Sequence, residues 1–343
     1  MRLDITCSTD DNYAQHCMVM LCSLFENNRE HEVYVHLIVD EKLTETYKTA
    51  ITALAERYGN HCVFYNVSPE KFDTVRYREG KPLPVTCYYR LLAASLLPKD
   101  ITKVLYLDCD VVVLGDLEEI FDIDYTGFGL AAIRDASPFT SLHRSEMGLS
   151  LEDRAFCSGV MMLNLDYWRQ NDCERKLFEY ASKERKVVYL EDQDALNFVF
   201  RRHWFALPYK WGKTPFSIAP LDQDLAAFDE DEYTTDVRII HYASPLKPWL
   251  DVWFPDRKYY IKYLKKLNLA HPKFQHVTSS VRIKTKIACV RYFINKYIHP
   301  LIPDFIEIPI KDVARYIRLI ISVGNSTKLK LTLLYLWINK YKR

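Results

Sequence analysis

The chain has 343 residues, of which 49% are hydrophobic and 27% are charged. This composition is typical of a folded domain and excludes a disordered chain. The net charge of +1 hides an uneven distribution: residues 271–343 contain fourteen Lys or Arg against three Asp or Glu, whereas residues 1–270 carry a balance of −10. Such asymmetry favours a basic tail that meets an anionic surface.

The nine cysteines include no Cys-x-x-Cys pair and no zinc-binding spacing, and several lie in apolar runs. This usage favours a reducing compartment. The N-terminal residues MRLDITCSTDDNY lack the apolar core of a signal peptide, and no stretch of 18 apolar residues occurs. We therefore expect a cytoplasmic protein that contacts the inner face of the cell membrane peripherally and does not span it.

Strand and helix patterns alternate in chain order, as in successive β-α-β units. The predicted strands are Leu3–Ser8, Val33–Val39, Cys62–Val67, Lys103–Leu114, Gly129–Ile133, Val160–Leu165 and Arg238–Tyr242. The predicted helices end near Asn27 or span Lys42–Tyr58, Tyr88–Leu97, Cys173–Arg185 and Asp194–Phe200. The fold class is therefore α/β, with a mostly parallel Rossmann-like sheet and helices on both faces. We expect this domain to cover residues 1–255, and residues 256–343 to form a basic, amphipathic, mostly helical region.

Glycine is scarce, with nine residues in the chain and none arranged as a phosphate-binding GxxxxGK[ST] loop. The one Gly-x-Gly-x-x-Ala, from Gly127 to Ala132, lies in a strand-like run and does not open a helix, so it fails the context of a dinucleotide fingerprint. If phosphates bind here, a metal ion is the obvious group to neutralise them.

Asp108-Cys109-Asp110 is the first candidate for such a metal site. Asp-x-Asp occurs four more times in the chain, but this copy lies in the apolar run KVLYLDCDVVVL. Two unpaired charges would be costly there. A strand end that opens on a cleft, with a divalent cation between the carboxylates, removes that cost. The alternative is a surface strand end with two solvated aspartates.

A second segment, HYASPLKPW, follows the last predicted strand. The imidazole of His241 beside two carboxylates suits a cation such as Mn²⁺. Lys247, between Pro245 and Pro248, is placed to act as a point charge on a departing phosphate. The alternatives are a buried structural histidine and a solvated lysine.

Six segments in order, namely Asp-Asp-Asn-Tyr after a strand, Tyr-x-Arg, LYLDCDVVV, SGVMMLNL, EDQDALN and HYASPLKPW, resemble family 8 of the retaining glycosyltransferases. This family includes bacterial lipopolysaccharide galactosyl- and glucosyltransferases and the glycogenins. The resemblance covers about residues 1–255. It implies a GT-A nucleotide-sugar transferase fold and a metal-dependent enzyme, using Mn²⁺ or Mg²⁺. Such an enzyme would move galactose or glucose from a UDP-sugar to a lipopolysaccharide or another cell-surface, lipid-linked glycan.

The resemblance also assigns roles to single residues. It implies that Asp108, Asp110 and His241 bind the metal and that Asp192, Gln193 and Lys247 are catalytic. The implied donor-binding residues are Ser8, Asp10, Asn12, Tyr13, Arg90, Asp108, Cys109, Asp110, Asp135, Ser244 and Lys247. Within that set Asp10, Asn12 and Tyr13 would hold the uridine, with Tyr13 stacking on the base. Arg90 would reach the donor sugar and Lys247 would contact the diphosphate.

Three positions depart from the family pattern. Cys157 stands where an Asn usually contacts the donor sugar, and Ser244 replaces a Gly before Pro245. The segment Pro82-Leu83-Pro84 lacks a His found in some lipopolysaccharide members. Polar residues 136–155 are expected to form an acceptor loop.

Retention of configuration allows two mechanisms. A double displacement needs a carboxylate on the β-face of the sugar, for which Asp192 and Asp194 are candidates. We expect instead a front-face attack in which the departing phosphate accepts the proton of the acceptor, because Gln193 is a poor nucleophile.

Other interpretations remain open at this point. Haloacid-dehalogenase-type phosphatases also place Asp-x-Asp after an apolar strand, and a non-catalytic nucleotide-sugar-binding relic would keep the same fold. The basic region, with its aromatic residues, is expected to lie on anionic lipid. Packing on the catalytic domain is the alternative, and a nucleic-acid partner is not expected because no such motif is present.

Overall fold

The computed structural model describes residues 1–77, 84–135, 143–150, 152–183, 188–214, 236–244, 246–250, 252, 254–269, 272–283 and 285–286. The chain divides into two compact units, residues 1–251 with 255–275, and residues 252–254 with 276–343. All elements given below belong to the first unit.

A mixed sheet of seven strands forms the centre of this unit. Its strands are β1 (Arg2–Ser8), β2 (Glu32–Val39), β3 (His61–Asn66), β4 (Lys103–Leu107), β6 (Leu130–Arg134), β7 (Phe156–Asn164) and β8 (Trp204–Leu207). Their order is β3-β2-β1-β4-β7-β6-β8. Strand β7 pairs antiparallel with both of its neighbours, and the other pairs in this sheet are parallel. The prediction of a mostly parallel sheet is therefore confirmed, with β7 as the reversed strand.

Burial along the strands explains why their sequences are so apolar. Val104–Leu107 in β4 and Ser158–Leu163 in β7 are buried without interruption. Side chains alternate between the two faces of a strand, so continuous burial requires a cover on both faces. In β3 the side chains are exposed or half-buried, as expected for an edge strand.

Eight α-helices lie in the described part of the unit. They are α1 (Ala14–Asn27), α2 (Glu45–Arg57), α3 (Ala93–Leu96), α4 (Glu118–Asp122), α5 (Leu165–Gln170), α6 (Cys173–Ser182), α7 (Asp192–Phe200) and α8 (Arg257–Lys266). Short 3₁₀ helices cover Pro69–Phe72, Val85–Leu92 and Tyr209–Trp211. The predicted helix Tyr88–Leu97 is thus a 3₁₀ helix that continues into a single turn of α3.

Helix α8 belongs to the first unit, which differs from the predicted domain boundary at residue 255. Its apolar face is buried through Tyr260, Tyr263 and Leu264. The amide of Asn27 in α1 donates to the Tyr263 hydroxyl at 2.7 Å, and Lys266 forms an ion pair with Glu26 at 2.6 Å. The lysines at 258, 262 and 265 are exposed.

The predicted single strand Lys103–Leu114 is wrong. Strand β4 ends at Leu107, and residues 108–110 turn away before β5 (Val111–Val113) begins. Strand β5 leaves the large sheet and pairs antiparallel with β9 (Ile239–His241). The two aspartates would place charge inside a continuous buried strand, whereas the turn brings them to its end.

Several predicted positions lie outside the described residues, namely 82, 83, 136–142, 151, 245 and the chain beyond residue 286. Of the helices that the structure describes, none combines the length and apolar character that a membrane span requires.

Candidate active site

A cleft of about 750 Å³ opens at the carboxyl ends of the parallel strands. Ser8 ends β1, Asp108 follows β4 and Asp135 follows β6, and all three line the cleft. In open α/β sheets this edge is where ligands bind, because the loops that follow the strands leave a crevice there.

Asp108, Asp110 and His241 form one end of the cleft, here called the acidic corner. His241 Nε2 lies 3.3 Å from Asp110 Oδ1 and 3.6 Å from Asp108 Oδ2. One ligand atom from each residue lies within 4.8 Å of the others. The pairing of β5 with β9 sets His241 opposite Val111, directly after the two aspartates. Two carboxylates and an imidazole are a donor set that fits Mn²⁺ or Mg²⁺.

Gly159 in β7 makes room for the imidazole. A Cβ atom at this position would lie 2.0 Å from His241 Cε1, which no side chain allows. The carbonyl of Gly159 also accepts a hydrogen bond from Asp108 N at 2.9 Å. One glycine therefore fixes the backbone before Asp108 and leaves space for the histidine.

Two cations balance the carboxylates. Lys247 Nζ lies 2.5 Å from Asp110 Oδ2, and Arg90 Nη2 lies 2.8 Å from Asp108 Oδ1. Burial would raise the pKa of Asp110, but Lys247 and His241 hold it below its ordinary value. Burial would lower the pKa of His241, but Cys157 and Asp110 raise it well above its ordinary value.

Tyr106 connects the acidic corner to the end of β1. Its hydroxyl donates to Asp108 Oδ1 at 2.9 Å and lies 3.2 Å from Ser8 Oγ, while the Arg90 guanidinium lies over its ring at 4.3 Å. Cys109 is buried and donates to the carbonyl of Ser8 at 3.2 Å. Ser8 thus contacts both Tyr106 and Cys109, which links the end of β1 to the acidic corner.

Helix α7 supplies two further residues of the cleft. Asp192 is buried, with Oδ2 3.0 Å from Arg90 Nε, and burial together with the charge of Asp108 raises its pKa to about 7 despite Arg90. Gln193 accepts from Ser158 N at 3.0 Å and donates to Asp135 Oδ2 at 3.2 Å. Its amide is therefore held in one orientation.

Asp194 has a different surrounding from Asp192. Its carboxylate accepts from the backbone N–H groups of Tyr189 at 2.9 Å and Leu190 at 3.2 Å. Among the described residues that line the cleft, Asp192 and Gln193 are present and Asp194 is not. Glu191, which precedes α7, has a positive φ of 45°. Asp194 thus organises the strained turn into α7.

Tyr13, His16 and Trp249 form a group of packed rings at the cleft, here called the aromatic wall. His16 stacks on Trp249 with ring centroids 3.6 Å apart, and Tyr13 meets the Trp249 ring edge-on at 5.8 Å. The Tyr260 hydroxyl of α8 lies 2.8 Å from His16 Nδ1. Tyr13 and Trp249 line the cleft, and His16 lies buried behind them.

Two predicted uridine contacts lie outside the cleft lining. Asp10 Oδ1 accepts from Asn12 N at 2.9 Å and Tyr13 N at 3.0 Å, so this carboxylate closes the turn before α1. Asn12 is exposed. Ser244 lines the cleft, and its hydroxyl closes a turn onto the backbone of Leu246.

The structure therefore brings the predicted residues Ser8, Tyr13, Arg90, Asp108, Cys109, Asp110, Asp135, Asp192, Gln193, His241, Ser244 and Lys247 into one cleft. It does not place Asp10 and Asn12 there. Sequence reasoning missed Tyr106, Gly159 and His16. Their signals were a lone phenol in an apolar strand, one of only nine glycines, and a histidine in an otherwise apolar helix.

This architecture is similar to that of a glycosyltransferase of known structure. A crystal structure of the galactosyltransferase LgtC with donor and acceptor sugar analogues superimposes with a TM-score of 0.68 and 25% identity, covering 82% of this chain and all of LgtC. The fold is therefore that of a GT-A nucleotide-sugar transferase, as the sequence predicted.

Sequence comparison leads to the family. The sequence model of glycosyl transferase family 8 matches residues 4–252, and the chain belongs to this family. General stress protein A of Bacillus subtilis (strain 168) is 26% identical over 76% of this chain and 93% of its own length. A lipopolysaccharide 1,2-glucosyltransferase of Escherichia coli is 29% identical over 72% of this chain and 73% of its own. The prediction of a family 8 glycosyltransferase is confirmed, and the phosphatase alternative is excluded.

Proposed function

We propose that this glycosyltransferase moves a hexose, galactose or glucose, from a UDP-sugar to a saccharide acceptor of a cell-surface glycan such as lipopolysaccharide, with retention of configuration. The observation that carries the proposal is the meeting of Asp108, Asp110, His241 and Lys247 at one end of the cleft. The glycan acceptor is supported by the similarity to a lipopolysaccharide glucosyltransferase.

The acidic corner would hold Mn²⁺ or Mg²⁺ through Asp108, Asp110 and His241. The cation would supply Lewis-acid stabilisation of the charge on a nucleoside diphosphate leaving group. Lys247 would add a point charge on the same oxygens. Tyr13 offers a ring face to the uracil base at the aromatic wall, and its edge-on contact with Trp249 keeps that ring in place.

Asp192 and Gln193 would face the donor sugar. Because burial raises the pKa of Asp192 to about 7, part of this carboxyl is protonated near neutral pH and is then unavailable as a nucleophile. Both carboxylate oxygens of Asp194 accept hydrogen bonds from backbone N–H groups. Both facts favour front-face attack, with the departing phosphate as proton acceptor. Trapping a covalent glycosyl adduct on Asp192 or Asp194 with a slow donor analogue would overturn this mechanism.

Release of UDP from a panel of UDP-sugars tests the proposal directly. We expect turnover with one donor in the presence of Mn²⁺, loss of turnover with EDTA, and at least a roughly 1,000-fold lower rate in Asp110→Ala. UDP binding is measured in parallel, because it distinguishes a non-catalytic nucleotide-sugar-binding protein from one that does not bind UDP. If the folded protein binds UDP but turns over no donor, with or without added acceptor saccharide, the proposal of catalysis is wrong and the chain is a non-catalytic nucleotide-sugar-binding protein.

We also propose a location at the cytoplasmic face of a membrane. The exposed lysines at 258, 262 and 265 of α8 and the basic composition of residues 271–343 support attraction to anionic lipid. Cosedimentation with vesicles of phosphatidylglycerol should exceed cosedimentation with phosphatidylcholine and should fall with added salt. Equal binding to both lipids would remove this part of the proposal.

A further inference from the structure

Cys157 is the chain's most unusual residue in the cleft, because a thiol stands where the family pattern has an amide. It lies in β7, is half-buried, and lines the cleft. Its Sγ atom lies 3.5 Å from Nδ1 of His241, within hydrogen-bond distance for sulfur. The contact joins residues that are 84 positions apart in the sequence.

The two nitrogens of His241 face different groups. Nε2 points to Asp108 and Asp110, at 3.6 and 3.3 Å, whereas Nδ1 points to Cys157. A histidine that binds a metal through Nε2 must have a free lone pair on that atom, so its remaining proton lies on Nδ1. That N–H then needs an acceptor, and Cys157 Sγ is in position to accept it.

The backbone around Cys157 is held on both sides. Ser158 N donates to Gln193 Oε1 at 3.0 Å, and Gly159 O accepts from Asp108 N at 2.9 Å. The imidazole packs against Gly159, where even a methyl group would collide with it. The thiol therefore contacts the ring from a strand with little freedom to shift.

We propose that Cys157 is a positioning residue that fixes the tautomer and the ring orientation of His241, and thereby sets the affinity of the acidic corner for a divalent cation. The inference rests on the metal site of the proposed function. Groups that orient a metal-binding histidine typically change metal affinity by about 10- to 100-fold when they are removed.

Mn²⁺ binding by the full chain tests this role without measuring transfer. Free Mn²⁺ is followed by electron paramagnetic resonance, with and without UDP, for wild type, Cys157→Ala, Cys157→Asn and Cys62→Ala. We expect about 10- to 100-fold weaker binding in Cys157→Ala. Cys157→Asn should restore most of the affinity, because its amide oxygen also accepts a hydrogen bond. Cys62 lies in the edge strand β3, so Cys62→Ala should bind like wild type.

Unchanged Mn²⁺ affinity in a folded Cys157→Ala would overturn the inference alone. If that variant does not fold, Cys157→Val, which keeps the volume but accepts no hydrogen bond, takes its place under the same expectation. A wild type that binds no Mn²⁺ even with UDP would overturn the metal site and, with it, the inference. Cobalt separates positioning from ligation: a thiolate-to-Co²⁺ charge-transfer band that disappears in Cys157→Ala would show that the sulfur binds the metal, which contradicts a positioning role.

Discussion

The acidic corner and the aromatic wall of the cleft differ in how they are held. The acidic corner contains three ionisable side chains, and Lys247 and Arg90 balance its carboxylates. In the aromatic wall, His16 stacks face to face on Trp249 and Tyr13 meets Trp249 edge-on. The buried His16 carries no charge near neutral pH because burial lowers its pKa to about 3. The comparison teaches that the corner is arranged for charge and the wall for shape. Changes in the corner should mainly affect metal binding and turnover, and changes in the wall should mainly affect stability.

The largest effect on stability is expected at the wall. Trp249 is 1% exposed, and replacing it with Ala would leave a cavity beside His16 and Tyr13. We expect Trp249→Ala to lower the free energy of unfolding by about 3–5 kcal/mol, measured by urea denaturation. Trp249→Phe, which keeps an aromatic ring, should lose less. A loss below about 1 kcal/mol in Trp249→Ala would contradict the role of the wall.

Gly159→Ala tests the corner without removing a ligand. Because the new methyl group would displace the His241 ring, we expect Mn²⁺ affinity and turnover to fall by at least about 100-fold. Gly129→Ala is the matched control. Its Cβ would lie 2.3 Å from Phe200 Cε1, and neither residue lines the cleft. That variant should lose about 1–3 kcal/mol of stability and keep its Mn²⁺ affinity. Equal loss of affinity in both variants would mean that general destabilisation explains the effect.

Lys247→Met removes one charge from the corner. We expect turnover of the UDP-sugar to fall by about 100-fold, because the leaving diphosphate loses an electrostatic contact. Lys247→Arg keeps the charge and should lose less. The free energy of unfolding is measured alongside turnover, because Lys247 and Asp110 are both largely buried and an unpaired Asp110 carboxylate is destabilising. Turnover equal to that of wild type would exclude Lys247 from the reaction.

Near neutral pH the smallest expected effect is a pH dependence of the free energy of unfolding at the wall, which grows only as the pH falls. The pKa of His16 is about 3 in the folded chain and near 6.5 in an unfolded one, so the unfolded chain binds this proton more tightly. The stabilising contribution is complete above pH 6.5 and is lost as the pH falls towards 3, by up to about 1.4 kcal/mol per pH unit. His16→Phe should remove that dependence from the free energy of unfolding, and Tyr260→Phe should keep it. An identical slope in wild type and His16→Phe would contradict this assignment.

Sequence alone could find the two aspartates of the corner, because charge inside an apolar run is costly unless a cation or a cleft relieves it. It could also find His241 and Lys247, which follow directly after a short strand. It could not show that Lys103–Leu114 splits into β4 and β5, because apolar periodicity does not reveal which sheet a strand joins. It could not show that the Asp10 carboxylate closes the turn before α1, because that contact depends on the local backbone path.

By itself, then, the sequence determined the α/β alternation, the family, and the residue types of the acidic corner, since these follow from local pattern and from the cost of buried charge. Only the tertiary structure decided that Cys157 contacts His241, that Gly159 leaves room for the His241 ring, and that His16 stacks on Trp249. These contacts join strands and helices that are far apart in the chain. They depend on where backbones cross within a few ångströms, which neither periodicity nor composition specifies.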